Sequence, residues 1–354
     1  MVESKDECLM KVLMIGLGSI GQRHLRNLLS LFSDVEILAY RVRGLQNTFS
    51  NTMQILPNTN LDEKYNISVF NNIDEALSAK PDVAFITNIT SMHIPCLKKV
   101  LGAGVDVFIE KPLSNSLESI GDVIRLRDDA NCIAFMGFQN RFNPGLIELK
   151  KFVDNSTFGS IISVHVEMGE RLTTMHTYEN YAETYMAQKS MGGGVILNQM
   201  IHELDYIQWI FGKSKSVYAV LGNNSSLPID VEDYCDAIYT CENNGNVFPI
   251  HVHSDFIQYP PKRICRVVFE NATVQVDLID NVLKIQSDVE ECVRYDVVRN
   301  DLFIRELNMF FNCISSRSQN CFTIEEGFES LKMAICAKVS SEEKRIVYLS
   351  EVCL

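Results

Sequence analysis

Short apolar runs alternate with amphipathic segments through the first 130 residues. Residues 12–15 form one apolar run, residues 19–31 then carry apolar side chains at helical spacing, and further apolar runs fill 83–86 and 107–109. Strands that are apolar along their whole length are buried on both faces, which is typical of parallel sheets covered by helices. The pattern therefore predicts a doubly wound parallel sheet in this part of the chain.

The pattern changes near residue 140. Strand patterns then follow one another without helices between them, at residues 160–169, 216–222, 235–245 and 247–256. Successive strands predict an antiparallel sheet, which commonly leaves one face uncovered by its own chain. We expect two domains: residues 1–125 with the parallel sheet, and residues 126–354 as an α/β domain with a large open, mostly antiparallel sheet and a C-terminal helix at about 324–342.

A glycine pattern separates the first strand from the first helix. Gly16, Gly18 and Gly21 fit G-x-G-x-x-G, with a strand before them and a helix after them. Glycines at this turn let the backbone approach a pyrophosphate, which binds at the N-terminus of the helix. The alternative, a glycine turn that binds nothing, is disfavoured by this context. We therefore interpret the first domain as a Rossmann domain whose dinucleotide contacts include the three glycines with Ser19 and Ile20.

The end of the second strand bears on the choice of cofactor. An acidic residue there would hold the ribose hydroxyls of NAD, but this chain has Tyr40, Arg41 and Arg43. Arginine offers a bidentate site to the 2′-phosphate of NADP. We expect NADP(H) to be favoured, with NAD(H) as the alternative if Arg41 stacks on the adenine instead.

Two charged residues follow the apolar run at 107–109. Glu110 and Lys111 stand directly before Pro112, at the carboxyl end of a predicted parallel strand. A solvated loop is the simpler interpretation of such charges, since burying an unpaired charge is costly. Ligands of doubly wound sheets, however, bind beyond the carboxyl ends of the strands, so we expect this pair to lie in the binding crevice.

A polar stripe marks the helix predicted at 195–211. Three glycines precede the helix at 192–194, and its apolar side chains gather on one face. The opposite face carries Asn198, His202 and Asp205, of which the first two are i, i+4 neighbours. An isolated histidine on a helix is more often unremarkable than functional, so the stripe by itself is a weak signal.

The combination of motifs is more specific. G-x-G-x-x-G, then E-K-P, then G-G-G followed by N-x-x-x-H-x-x-D resembles the glucose–fructose oxidoreductase/inositol dehydrogenase (Gfo/Idh/MocA) family over nearly the whole chain. The resemblance implies that Lys111 contacts the reacting hydroxyl, that a cis bond precedes Pro112, and that His202 is the catalytic histidine. Asn198 stands where the family most often has Asp, and Ile89 where many members have proline.

The resemblance also implies further contacts. Asn88, His93, Glu110 and Lys111 would lie on the cofactor side, with Glu110 supporting Lys111 or the strand end and not acting as the base. The segment before the glycines would contact the substrate through Arg171, Tyr178, Tyr181 and Tyr185, together with Asn198 and His202. His176 lies in the same segment.

The expected activity is hydride transfer between a nicotinamide and a secondary alcohol or ketone carbon of a sugar. Aromatic and hydroxyl groups suit sugar faces and Arg171 suits an anion, so a nucleotide-linked or modified sugar is the leading substrate class. One alternative is a cyclitol dehydrogenase of the same family. Another is a regulator that senses NAD(P) without turnover, although such members tend to lose the lysine or the histidine. Reduction of a linear tetrapyrrole is a third, which the retained Lys–His pair disfavours.

Composition narrows the other possibilities. The net charge is −13, from 32 basic and 45 acidic residues, which argues against a nucleic-acid partner. The sequence has no apolar run long enough for a membrane span and no signal peptide, so we expect a cytoplasmic protein. The 11 cysteines form no C-x-x-C, and His251 with His253 is a weak metal signal, so no metal is expected. The resemblance implies that a second subunit covers the open sheet, giving a homodimer or homotetramer.

Overall fold

The computed structural model describes residues 9–42, 44, 47–50, 54–175, 177–243 and 245–352. Its first part consists, in chain order, of β1 (Met10–Ile15), α1 (Ser19–Leu31), β2 (Val35–Tyr40), β3 (Asn47–Phe49), β4 (Ile55–Asn60), α2 (Leu61–Tyr65), β5 (Ile67–Phe70), α3 (Ile73–Ser78), β6 (Val83–Ile86), α4 (His93–Gly102), β7 (Asp106–Glu110), α5 (Ile120–Ala130) and β8 (Ala134–Gly137).

These elements form the predicted doubly wound Rossmann sheet. Six strands pair in the order β5-β2-β1-β6-β7-β8, and every pairing is parallel. In the central strands Ile15 lies opposite both Tyr40 and Ile86, and Ile86 lies opposite Ile109. The carboxyl ends of β1, β2, β6 and β7 therefore meet along one edge, which is where the glycine turn and the Glu110–Lys111 pair lie.

The parallel sheet extends past residue 125, the end that we expected for the first domain. β8 pairs with β7, with Met136 opposite Ile109, so these strands belong to one sheet although the helix α5 separates them. A boundary drawn at the change of pattern near residue 140 agrees better with this pairing.

The second part consists of α6 (Pro144–Asp154), β9 (Ile161–Gly169), α7 (Leu172–Met175), a π-helical turn (Ile196–Met200), α8 (Ile201–Phe211), β10 (Ser214–Gly222), β11 (Tyr234–Asn243), β12 (Asn246–Asp255), β13 (Lys262–Phe269), β14 (Thr273–Asp277), β15 (Val282–Gln286), β16 (Glu290–Arg294), α9 (Arg299–Ser316), α10 (Ile324–Glu343) and β17 (Val347–Tyr348). Short 3₁₀ turns lie at Thr90–Met92, Gln139–Phe142, Tyr181–Glu183, Tyr185–Ala187, Lys189–Met191 and Leu349–Glu351.

The second sheet is mostly antiparallel, as predicted. Its nine strands pair in the order β16-β15-β14-β13-β9-β12-β11-β10-β17, and only the β12–β9 pairing is parallel among the described strands. α10 covers the inner face: the Tyr239 hydroxyl donates to the Met333 carbonyl at 3.1 Å, and the Ala219 N–H donates to Ser340 Oγ at 3.0 Å.

The chain returns to the first sheet near its C-terminus. On α9 the ring of Phe310 packs edge-on against Phe85 of β6 and Phe108 of β7, each at 5.7 Å between centroids. The buried apolar residues of both parts consequently form one continuous core. This packing places the first turn of α9 beside α1, where Asn300 and Asn27 exchange side-chain hydrogen bonds.

The outer face of the nine-stranded sheet is open. One row across it runs from Tyr218 through Ile238, His251 and His165 to Arg266 on neighbouring strands. Tyr218 and Ile238 are each 44% exposed, and the imidazoles of His165 and His251 stack at 4.7 Å. No metal arrangement of three His, Cys, Asp or Glu occurs in the part of the chain that the structure describes.

We expect the chain to form dimers or tetramers through this face, because it mixes apolar side chains with polar ones as subunit interfaces do. Ile238→Glu should shift the light-scattering mass toward the monomer by placing a charge in the contact. Val69→Glu, at a residue 43% exposed on the first sheet, is the control and should leave the mass unchanged. A stable monomer of the unmodified chain at micromolar concentration would contradict the expectation.

No helix within the described ranges is long and apolar enough to cross a membrane. The nine cysteines in these ranges are free thiols, and seven of them are buried.

Candidate active site

The glycine turn after β1 is tightly packed on one side and open on the other. Gly16 has φ +95°, and a side chain there would come within 2.8 Å of the Asn88 backbone. A Cβ at Gly21 would lie 2.5 Å from the Gly16 carbonyl oxygen, whereas one at Gly18 would meet nothing within 4 Å. The turn thus presents an exposed backbone at Gly18 that a side chain would obstruct.

This turn fits a pyrophosphate. Gly18 is the N-cap residue of α1 and no side chain caps the helix there, which leaves N–H groups of the first turn to a ligand. Anions bind well at such a helix end because the N–H groups and the helix dipole both favour negative charge. Gly16, Gly18, Ser19, Ile20 and Gly21 are therefore placed as a dinucleotide site requires.

Arg41 at the end of β2 is engaged by a carboxylate that the sequence pattern did not reveal. Its Nη2 lies 2.6 Å from Oδ1 and 2.5 Å from Oδ2 of Asp62, the second residue of α2, and Arg41 is buried. The carboxylate balances the guanidinium charge at the position where a 2′-phosphate was expected. Arg43, the second predicted arginine, lies outside the described residues.

His93 connects two loops at the sheet edge. It is buried, its Nδ1 lies 2.8 Å from the Pro112 carbonyl oxygen, and its Nε2 lies 3.2 Å from the Asn88 carbonyl oxygen. Burial lowers the pKa of His93 despite these two acceptors. The ring therefore joins the loops after β6 and β7 through two contacts with backbone oxygens. The Asn88 amide donates to Cys96 Sγ at 3.3 Å, while its Oδ1 is buried without a partner.

Lys111 projects from the end of β7 toward the second domain. Its Nζ donates to the backbone carbonyl of Asn198 at 2.9 Å, and the Lys111–Pro112 bond is cis, as predicted. Burial lowers the pKa of Lys111 to about 8, although the Glu110 carboxylate acts in the opposite direction. Lys111 is thus largely protonated at neutral pH, yet close to its titration point.

The glycine segment and a π-helical turn bring Asn198 and His202 to the same place. Asn198 Nδ2 donates to the Gly194 carbonyl at 3.0 Å, which ties the amide to the glycine entry. His202 is buried, and its Nδ1 has no hydrogen-bond partner. Burial lowers the pKa of His202 well below its usual 6.5, and the charges of Lys111 and Arg263 lower it further. His202 is accordingly a neutral imidazole close to the Lys111 ammonium.

Asp205 does not belong to the site, in contrast to the predicted stripe. Arg141 donates to it from Nε at 2.9 Å and from Nη2 at 2.6 Å, and Nη1 of the same arginine reaches Glu326 of α10 at 2.8 Å. Both members of the Asp205–Arg141 pair are almost fully buried. This carboxylate therefore joins α8 to the segment after β8 and to α10, which are long-range partners that a helical wheel cannot show.

The residues predicted to bind substrate separate into three places. The Tyr178 ring packs on Phe49 at 4.5 Å and hydrogen bonds with Ser19, so Tyr178 covers the dinucleotide turn. Tyr185 lies near Glu110, since burial and then the Glu110 charge raise its pKa. Arg171 is exposed and stacks over Tyr259 at 5.5 Å.

Tyr181 packs its ring partly into the core and begins a 3₁₀ turn that its neighbour Asn180 caps. His176 lies outside the described residues. The structure thus brings Tyr185 near the Lys111 end of the site, whereas Arg171 stacks on the exposed Tyr259 at the surface.

Several charged residues of the site were missed by sequence reasoning. Arg263 of β13 donates to the fully buried Glu203 of α8 at 2.8 and 3.3 Å. Arg299, the first residue of α9, is exposed, and its charge contributes to the lowered pKa values of Lys111 and His202. No local pattern marks these arginines, because each is brought to the site by long-range pairing or packing.

His24 was also missed. It lies on α1, is fully buried, and its Nε2 is 2.7 Å from Glu110 Oε1. Glu110 is buried as well, and its other carboxylate oxygen accepts the Lys111 backbone N–H at 3.2 Å. In the sequence, His24 could have been noticed only from its position, three residues after Gly21 and one helical turn from the proposed phosphate site.

Family models match both parts of the chain. The model described as the oxidoreductase family GFO/IDH/MocA, NAD-binding Rossmann fold, matches residues 10–138, and the GFO/IDH/MocA C-terminal domain matches residues 146–275. Among individual proteins, the myo-inositol 2-dehydrogenase of Thermotoga maritima is 24% identical over 97% of this chain and 99% of that protein. Matches to two other curated relatives span about half of those proteins, 42% and 53% of their length.

Solved structures agree in fold. A levoglucosan dehydrogenase in complex with NADH and levoglucosan superposes with a TM-score of 0.81 at 16% identity, covering 96% of this chain and 99% of that chain. The WlbA dehydrogenase of Bordetella pertussis, in complex with NADH and UDP-GlcNAcA, superposes with a TM-score of 0.77 at 20% identity, covering 98% and 99%. With both family models matched over most of its length, the chain belongs to the Gfo/Idh/MocA family of oxidoreductases.

Proposed function

We propose that the chain is a nicotinamide-dependent dehydrogenase or reductase that acts on a secondary alcohol or ketone carbon of a sugar. The observation that carries this proposal is the convergence of Lys111 and His202, from two domains, beside a glycine turn that fits a dinucleotide. Family membership and the sugar and inositol dehydrogenases among the relatives support it.

Lys111 and His202 can both take part in oxidation of an alcohol and in reduction of the corresponding ketone. The nicotinamide, when bound, supplies the hydride acceptor or donor. In the oxidation direction, neutral His202 can take the hydroxyl proton, and protonated Lys111 can stabilise the negative charge that develops on the oxygen. In the reduction direction, the same groups return the proton to the ketone oxygen. Asn198, with its donor used on Gly194, can orient a substrate group but transfers no proton.

The charges around Lys111 and His202 support one substrate class over another. The charges of Arg263 and Arg299 both act on Lys111 and His202. Arg263 is paired with Glu203, whereas Arg299 forms no ion pair with any residue that the structure describes. A protein with a net charge of −13 that collects cations at one site is suited to an anionic substrate. We therefore propose a nucleotide-linked or otherwise acidic sugar, with an uncharged cyclitol as the alternative.

A thermal-shift screen tests the substrate class. The melting temperature of the protein is measured with NAD(P)H and with UDP-sugars, uronic acids or myo-inositol. Compounds that raise the melting temperature are then tested for turnover by the absorbance of NAD(P)H. A ligand at 100 times its Kd stabilises the native state by about 2.7 kcal/mol, which is a shift of several degrees. We expect an anionic sugar to give this shift and Arg299→Ala to abolish it. A shift with myo-inositol alone, unaffected by Arg299→Ala, would favour the cyclitol alternative.

The proposed cofactor is NADP(H), held at Arg41, with NAD(H) as the alternative. The Asp62 carboxylate against Arg41 opposes a 2′-phosphate, so the preference is expected to be small. Removing this charge in Asp62→Asn should improve the NADPH-to-NADH affinity ratio by roughly tenfold, since unit charges about 4 Å apart near a protein surface interact by one to several kcal/mol.

Fluorescence titrations with NADPH and NADH measure this ratio. Arg41→Asp should move the ratio toward NADH. The preference for NADPH over NADH should therefore be highest in Asp62→Asn, intermediate in the unmodified protein and lowest in Arg41→Asp. An unchanged ratio in both variants would show that neither residue contacts the 2′ position.

The alternative of a non-catalytic NAD(P)-sensing regulator predicts a different result. Such a protein would bind the cofactor and show no turnover with any compound that raises its melting temperature. The proximity of Lys111 to His202 supports the enzyme instead, because sensing requires neither a neutral buried imidazole nor an ammonium close to its titration point.

A further inference from the structure

A buried histidine lies directly behind the lysine of the proposed active site. The His24 ring lies in the core, 4.8 Å from the Phe108 ring and 5.9 Å from the Phe303 ring between centroids. Its Nε2 donates to Glu110 Oε1 at 2.7 Å, while its Nδ1 has no partner. His24 is fully buried and therefore has no route to a bound ligand, so its effect on the reaction must pass through Glu110.

Glu110 divides its two oxygens between His24 and Lys111. Oε1 accepts from His24 and Oε2 accepts the Lys111 backbone N–H at 3.2 Å. Burial acts to raise the pKa of Glu110, but the hydrogen bond and charge of His24, with the charge of Lys111, outweigh burial and lower it. A buried carboxylate stays ionised only when it is paired and hydrogen-bonded, and His24 supplies the side-chain donor.

Among the charged and titratable groups around Lys111, Glu110 is the carboxylate that acts most strongly on the lysine. Two carboxylates, Glu110 and Glu203, act on Lys111, and Glu203 is already bound to Arg263 at 2.8 Å. Glu110 is therefore the main source of negative charge that offsets the burial of the ammonium. The other groups that interact with this pair come from surrounding elements: Arg263, Arg299, His202 and His93 around Lys111, and Glu306, Tyr185 and Arg23 around Glu110.

Glu306 of α9 does not substitute for Glu110. It is fully buried, and burial raises its pKa well above the usual value, with the charge of Glu110 acting in the same direction. Burial therefore favours the uncharged form of Glu306, in contrast to Glu110, whose pKa is lowered.

We propose that His24 is a positioning residue for the reaction, which holds the Glu110 carboxylate so that Glu110 orients the Lys111 backbone and keeps the Lys111 side chain protonated. The same helix that offers its N-terminus to the pyrophosphate thereby fixes the state of the lysine beside the nicotinamide. This role for Lys111 rests on the proposed function, but the charge state of Lys111 is measurable without substrate or cofactor.

The test is competitive acetylation of lysines with acetic anhydride as a function of pH, resolved by peptide mass spectrometry on the full chain. The Lys111 rate should titrate with a midpoint near pH 8 in the unmodified protein. His24→Leu and Glu110→Gln should each move the midpoint to lower pH. Glu110→Gln removes the carboxylate, and His24→Leu removes the donor that keeps this carboxylate ionised. Lys151, whose side chain is 60% exposed, provides the internal reference and should not move in any variant.

Two conservative variants separate positioning from mere packing. In His24→Gln the side-chain Nε2 can reach the position of the imidazole Nε2, so the Lys111 midpoint should stay near that of the unmodified protein. In His24→Asn the amide is too short to reach, and the midpoint should follow His24→Leu. The double variant His24→Leu/Glu110→Gln should shift no further than either single variant, because both changes act through one interaction.

Turnover gives an independent readout once a substrate is known. His24→Leu should lower kcat at pH 7 by about 10- to 100-fold with a small change in KM, and His24→Gln should restore most of it. An unmoved Lys111 midpoint in folded His24→Leu or His24→Asn would overturn the proposal. A shift in Glu110→Gln alone would overturn the part assigned to His24. If His24→Leu fails to fold, His24→Asn and Glu110→Gln decide the question.

Discussion

Lys111→Ala is expected to lose most turnover while it keeps its fold and its cofactor. Removal of a positioned acid, base or charge typically costs about 10²–10⁴-fold in rate. The ammonium faces the second domain, where its Nζ contacts the Asn198 carbonyl at 2.9 Å, whereas the pyrophosphate turn lies at the ends of β1 and α1. The Kd for NAD(P)H should therefore stay within a few-fold of the unmodified value, as measured by fluorescence titration.

The pH dependence of turnover tests the role of the Lys111 ammonium most directly. Burial lowers the pKa of Lys111 to about 8, so turnover in the oxidation direction should be level near pH 7 and fall as the pH rises through about 8. The fall should be absent in Lys111→Ala, which lacks the titrating group. Lys151→Ala removes an exposed lysine and should behave as the unmodified protein. Loss of cofactor binding in Lys111→Ala would make Lys111 a cofactor ligand instead.

His202→Ala is expected to reduce turnover by a similar factor, about 10²–10⁴-fold, with KM and NAD(P)H affinity little changed. The imidazole is buried, its Nδ1 is unpaired, and its pKa lies well below 6.5, so it is a neutral base throughout the neutral range. No loss of activity from His202 protonation is therefore expected between about pH 6.5 and pH 7.5.

Added imidazole provides the control for His202→Ala. The truncation leaves a space where the ring stood, and exogenous imidazole should restore part of the turnover if the ring transfers a proton. Thermal unfolding should show that the variant retains its fold. Near-parental turnover in His202→Ala would remove the helix stripe from the mechanism and would favour the regulator.

Asn198 should matter less than either residue. Its side chain donates to the Gly194 carbonyl, and the contact with Lys111 is made by its backbone oxygen, which Asn198→Ala retains. The lysine is thus held by the main chain at Asn198 and not by its side chain. Asn198→Asp is still expected to be tolerated, with its carboxylate turned away from the Gly194 oxygen.

The sequence by itself determined the features that depend on local pattern. Periods of apolar residues gave the parallel and antiparallel sheets, because burial on two faces or one leaves a distinct spacing. G-x-G-x-x-G between a strand and a helix identified the dinucleotide turn, and the open contact surface at Gly18 agrees with that interpretation. E-K-P after an apolar run predicted that Lys111 follows the carboxyl end of a strand, and in the structure it follows β7.

The tertiary structure decided which charged side chains meet. Asp205 shares a helical face with His202 on a wheel, yet Arg141 and Glu326 reach it from other elements and make it structural. Arg41 was expected to bind the 2′-phosphate of NADP, but in the structure Asp62 of α2 forms an ion pair with Arg41. Sequence spacing cannot reveal such pairs, because partners far apart in the chain are brought together only by sheet order and helix packing.

The same reason explains the His24–Glu110 pair. The two residues are 86 positions apart, and they meet because β1 and β7 both flank β6 in one sheet while α1 returns across it. Local sequence fixes where a strand ends and which residue stands there. The charge state of that residue depends on what the fold buries beside it, since desolvation and nearby charge set a pKa and both are properties of the packed chain.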